Sequence, residues 1–180
     1  GFVDESEAEF GLDGLDRGNV VHQLLDILWQ RLQTQAALSA MDDPMRLKLI
    51  ASVIEECFES GSFDLSAEKL RLLKHEKGRL QTLLFAWLKE EDKRPAGFSV
   101  VEREEQREGE LGGIRYRYII DRLDAIDDGR SVIIDYKTGT VNRKDWTGER
   151  IKSTQMPLYA LALDKVKDKA VSGIVFAQVK

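Results

Sequence analysis

The sequence predicts a mixed α/β domain with an N-terminal helical cap, and three observations predict it. Apolar residues recur at helical spacing through residues 17–95. The period changes to two from residue 98. A last helix and strand then return over residues 152–179. A β-meander followed by a crossover helix and strand gives a mixed β-sheet core, and the preceding helices lie over it as a cap.

The elements follow in order. Residues 1–16 carry Asp4, Glu5, Glu7, Glu9, Asp13 and Asp16 and no base, so a solvated acidic lead-in is expected. In the helical part, residues 17–95, the first helix carries Val21, Leu25, Leu28 and Leu32 on one stripe. The second starts at Asp43-Pro44, where Asp suits the cap and Pro the first turn, and stops at Gly61. The third starts at Ser66, with Leu65 and Leu70 placed as a hydrophobic staple, and runs on to Pro95 and Gly97. Residues 98–180 form the α/β core. A strand over 98–108 is followed by a turn at Glu108-Gly109-Glu110 and a strand over 111–126. A turn at Asp127-Asp128-Gly129 leads into a short strand from Ser131 to Tyr136. Residues 152–167 read as helix and 171–179 as strand.

Composition narrows the function. There are 27 Lys and Arg against 32 Asp and Glu, a net charge of −5, which argues against a non-specific DNA coat but not against a local metal-assisted site. The single cysteine, Cys57, lies on an apolar stripe and reads as core, so thiolate zinc sites and iron–sulfur clusters are not expected. No apolar run is long enough to span a membrane, and the acidic N-terminus lacks a signal-peptide core, so a cytoplasmic location is expected. The chain opens on Gly1 with no Met and is expected to be a piece of a longer protein with one domain over 1–180.

The chemistry concentrates in residues 119–139, IIDRLDAIDDGRSVIIDYKTG. A three-residue loop with Gly129 in the left-handed position sets residue 126 opposite 130, and therefore Asp121 opposite Asp135. An even-length loop sets Asp121 opposite Tyr136 instead. Opposed carboxylates repel unless a cation lies between them. Lys137 shares a strand face with Asp135, so two carboxylates and an ammonium meet at a strand end. Such oxygen ligands suit Mg²⁺ or Mn²⁺.

This segment resembles the RecB-like branch of the PD-(D/E)XK nuclease superfamily. The matching blocks are Asp121-Arg122-Leu123-Asp124 and Asp135-Tyr136-Lys137-Thr138-Gly139, with an upstream helix Arg17-Gly18-Asn19-Val20-Val21-His22 and a downstream Gln155-Met156-Pro157-Leu158-Tyr159. Residues 87–105 also resemble the nuclease end of AddB-type repair proteins. One position departs from the branch: three residues before Asp121, where Gly is common, stands Tyr118.

The resemblance implies a restriction-endonuclease-like fold and a Mg²⁺- or Mn²⁺-dependent deoxyribonuclease, an exonuclease of DNA repair and recombination. It implies Asp121, Asp135, His22 and the Tyr136 carbonyl as metal ligands, and Lys137 as the group that orients the attacking water. Gln155, Tyr159 and Arg122 are the expected substrate contacts. The branch's additional strand-borne Glu falls on Glu102, Glu104 or Glu105. DNA is the expected partner, and any helicase or motor lies elsewhere, because no Walker motif occurs here. A catalytically inactive DNA-binding module of the same fold is the alternative, although intact Asp121, Asp135 and Lys137 count against it. The basic run Arg71, Lys74, His75, Lys77 and Arg79 reads as a solvated face or as a guide for DNA.

Overall fold

The computed structural model describes residues 14–111, 113–138 and 171–179. Five helices precede four strands: α1 (Gly14–Leu32), α2 (Gln35–Ser39), α3 (Asp43–Glu59), α4 (Ala67–His75), α5 (Lys77–Asp92), β1 (Phe98–Leu111), β2 (Ile114–Ile126), β3 (Ser131–Lys137) and β4 (Val171–Gln178). Strand order in the sheet is β1-β2-β3-β4, with the first three antiparallel and β4 parallel to β3. This is the mixed α/β architecture expected. The helix expected over 152–167, and residues 1–13 of the acidic lead-in, lie outside the described residues.

Helix α1 is the central strut of the cap. Val20, Val21, Leu24, Leu25, Leu28, Trp29 and Leu32 recur in pairs three to four apart and are all buried. They pack with Ile50, Val53, Ile54 and Cys57 of α3, Leu84 and Leu88 of α5, and Phe98, Ile134 and Tyr136 of the sheet. Burial pushes the Cys57 thiol up to about 11, so this cysteine is inert core. A smaller cluster, Ile120, Leu123 and Ile133, forms a second, separate core.

Several boundaries differ from the sequence reading. Gly14, Leu15 and Asp16 are helical instead of belonging to the lead-in, and Asp16 pairs with Lys69. The cap of α3 is Asp42, whose carboxylate accepts from Met45 N–H at 2.9 Å, with Asp43 and Pro44 inside the first turn. The expected third helix is two. Ser66 caps α4 as read, but the chain breaks at Glu76, whose N–H turns back to the Leu73 carbonyl while its carboxylate accepts from Arg17 at 3.0 Å. Helix α2 was not foreseen. Its buried Gln35 donates to the carbonyls of Glu91 and Arg94 at 3.0 and 2.9 Å, satisfying the end of α5.

The first hairpin turns between Leu111 and Ile114, with Gly113 at φ +81°, and not at Gly109, which stays in the ladder opposite Tyr116. The second hairpin has the three-residue loop. Ile126 N–H donates to the Arg130 carbonyl at 2.8 Å and Gly129 sits at φ +85°. The ladder then runs Ala125↔Ser131, Asp124↔Val132, Leu123↔Ile133 and Arg122↔Ile134, where the pairing ends; the same register carried one step on sets Asp121 across from Asp135.

Candidate active site

Alternation along β3 decides which groups can do chemistry. Tyr136 points into the helix-facing core, so its neighbours Asp135 and Lys137 point the other way. Asp135 is 4% exposed, and the Lys137 ammonium lies 2.6 Å from its Oδ2. That approach is off the direction a hydrogen bond needs, so Oδ2 is a buried oxygen with a charge beside it and no hydrogen bond. Burial raises the Asp135 pKa above the usual carboxylate value; Lys137 opposes the shift and the Asp121 charge adds to it.

The main chain of Tyr136 ties the site together. Its N–H donates to Asp121 Oδ2 at 2.8 Å. Its carbonyl oxygen lies 3.0 Å from His22 Nε2. With the proton on Nε2, the imidazole donates to that carbonyl and leaves Nδ1 facing Asp121 Oδ1, 3.6 Å away. Gly18 allows this approach. A Cβ there would lie 3.0 Å from Thr138 Oγ1, so glycine lets α1 approach the end of β3 without displacing that side chain, with His22 one turn further on. The space left by Gly18 thus serves Thr138. Burial disfavours the charged form of His22, but the hydrogen bond and charge of Asp121, with Glu104 and the Tyr136 carbonyl, outweigh it and raise the pKa above 6.5.

Among the three glutamates that competed in sequence, Glu104 enters the site. Ligand atoms of His22, Glu104 and Asp121 all lie within 4.8 Å of one another. The β1–β2 register shifts between Val100 and Glu102, and no rung forms between Arg103↔Arg122 and Glu105↔Ile120. Glu104 occupies that gap at φ +44°, a left-handed conformation that non-glycine residues adopt at a cost of about 1–3 kcal/mol. Its pKa is pushed up to about 7, by burial first and then by the Asp121 charge, with His22 opposing.

Arg122 is corrected. It contacts no solvent-facing groove: it is 1% exposed, with its guanidinium 4.1 Å from the Trp29 ring and bonded to Asp124, Glu91 and the Tyr136 hydroxyl. Strand alternation turns it toward the helices, away from the face that carries Asp121. Gln155 and Tyr159 lie outside the described residues. Of the basic run, Lys77 is engaged with Glu55 and the Phe58 ring. Arg79, together with Arg17, lines an open cavity of about 470 Å³ that reaches Thr138, next to Lys137.

The donor set fits a hard divalent cation. The imidazole of His22 and the carboxylates of Glu104 and Asp121 face a small volume, with Asp135 on the neighbouring strand; burial, and then the Asp121 charge, raises the pKa of both Glu104 and Asp135, and no thiolate is present.

Fold and site together define a mixed α/β core that carries opposed aspartates and a lysine at the end of one hairpin, with a helical histidine above them. The chain belongs to the PD-(D/E)XK nuclease superfamily: the family model matches residues 3–180. No curated protein matches the chain. Members of this superfamily are typically metal-dependent nucleases. Among the described residues, no helix is long and apolar enough to cross a membrane.

Proposed function

We propose that this chain is a Mg²⁺- or Mn²⁺-dependent deoxyribonuclease of the RecB-like branch, an exonuclease acting in DNA repair and recombination. The observation that carries the reading is the group of charges at the strand ends, with Lys137 beside the Asp135 carboxylate and His22 and Glu104 beside that of Asp121. His22 Nδ1, Asp121 and Glu104 hold the cation, with Asp135 as the further carboxylate beside them; the Tyr136 carbonyl, taken up by His22 Nε2, orients the imidazole and is not free to be the ligand the sequence implied. A bound divalent ion polarises the phosphate and makes water a stronger nucleophile at neutral pH.

The residues of the chain do the rest. Asp135 fixes the Lys137 ammonium, which donates to the incoming water or to the phosphate oxygens and steadies the charge that develops on phosphorus. Arg17 and Arg79, at the cavity reaching Thr138, replace Arg122 as the bases that meet the DNA backbone. An ATP-driven motor that delivers DNA belongs to another domain or subunit.

Lys137→Ala is the test that separates chemistry from binding. The variant keeps every ligand, so it should bind metal and a short DNA as the wild type does. Its turnover should fall by about 10²-fold or more, the loss expected when a transition-state contact is removed. A variant that folds but no longer binds metal, or that cuts at the wild-type rate, contradicts the role assigned to Lys137.

A further inference from the structure

The DRxD and DYK segments meet a second time, on the face of the sheet away from the reaction. Arg122 Nε donates to Asp124 Oδ1 at 2.6 Å, and Nη2 donates to Asp124 Oδ2 at 2.6 Å and to Glu91 Oε2 at 2.7 Å. Nη1 donates to the Tyr136 hydroxyl at 3.0 Å. The guanidinium lies between the Trp29 ring, 4.1 Å away, and the Phe98 ring, 4.9 Å away. Arg94 closes the network with Nη1 2.7 Å from Asp124 Oδ2. Two bases thus balance two acids inside an aromatic wall.

A buried ion network is a poor way to gain stability, because apolar side chains of the same volume do as well or better. What it provides, and apolar packing does not, is direction. The hydroxyl holds one end of the Tyr136 side chain. At the other end, the same residue's N–H holds Asp121 and its carbonyl faces His22. The Tyr136 ring also meets the His22 ring edge-on at 5.8 Å and Trp87 at 6.0 Å. A displacement of the anchored ring is carried to the Cα from which both main-chain groups leave.

We infer that Arg122 and the Tyr136 hydroxyl form a clamp that positions the site: the buried guanidinium fixes the Tyr136 ring and, through the β3 main chain, sets the spacing of Asp121 and His22. Arg122 and Tyr136 are therefore positioning residues, and the Asp124–Glu91–Arg94 network exists to hold Arg122. The inference rests on the nuclease reading only for its consequence, since the clamp itself is a geometric relation. Groups that orient metal ligands typically alter metal affinity or activity by about 10–100-fold when removed.

The test uses Tyr136→Phe, which deletes one oxygen and keeps the ring, with Arg122→Lys as the second variant, which keeps the charge but loses the planar fork. The chain has two histidines, His22 and His75, so imidazole NMR signals of the metal-free protein report His22 against an internal reference. Both variants should move the His22 signals and leave those of His75 in place. Both should also weaken Mn²⁺ binding, read by calorimetry, by about 10-fold or more at an unchanged KM for DNA. If the His22 signals and the Mn²⁺ affinity both match the wild type in a folded variant, the clamp is only structural and the inference is overturned. If the wild type binds no Mn²⁺, the nuclease reading fails, while the His22 signals still decide the clamp.

Discussion

Asp135→Asn should abolish DNA cleavage and leave the protein folded, with a melting temperature at or above that of the wild type. Asparagine has the same shape but carries no charge, so it loses the ligand and relieves the repulsion with Asp121. Asp135 is buried beside Lys137, and its carboxylate is held against the cost of burial by that ammonium, by the charge of His22 and by the cation proposed here. Lys137 is part-exposed and can turn to water when its partner is neutralised. A metal centre supplies several kcal/mol of transition-state stabilisation, so losing a ligand should lower the rate by about 10³-fold. Gel assays with end-labelled DNA, alongside thermal melts, measure both quantities. A folded variant that cleaves within about tenfold of wild type removes Asp135 from the reaction.

Arg122→Ala has the opposite signature: a large loss of stability. The substitution leaves Glu91 and Asp124 buried, with Arg94 as the remaining cation beside both. Breaking a buried pair by removing one partner costs about 3–5 kcal/mol, and the cavity left between Trp29 and Phe98 adds to it. Arg117→Ala is the control. Its bond to Glu108 is 3.0 Å, but both side chains are about two-thirds exposed or more, at 73% and 67%. An exposed pair of this kind contributes about 0–1 kcal/mol. Urea unfolding of the two variants should separate them clearly. Equal, small losses would mean that Arg122 does not anchor the network.

What was legible in the sequence depended on how local its cause is. The β2–β3 register was legible because a three-residue loop with Gly129 at positive φ sets it within a few residues, and that register alone places Asp121 beside Asp135. Capping was legible to within one position at Asp42 and exactly at Ser66, because a side-chain oxygen three residues before an amide is a local signal. The first hairpin was misread because Gly109 and Gly112-Gly113 offer the same turn chemistry three to four residues apart, and only the pairing of β1 with β2 chooses between them.

The remaining differences have tertiary causes. In Asp121-Arg122-Leu123-Asp124 both strand faces carry charge, so alternation alone does not say which face meets the helices. The aromatic wall of Trp29 and Phe98 decides it for Arg122. The break at Glu76 is held by Arg17, 59 residues away. Glu104 was one of three candidates because a register shift in β1 offsets the alternation that would have singled it out.

On the function proposed, His22, Asp121 and Asp135, with Glu104, hold one divalent cation that enables phosphodiester hydrolysis. The most direct measurement is a titration of the metal-stripped chain with Mg²⁺ and, separately, Mn²⁺, followed by incubation with end-labelled DNA. No cleavage is expected without metal, and cleavage should rise and saturate with either ion. DNA that stays intact across both titrations, in a chain shown to be folded, would contradict the proposed function.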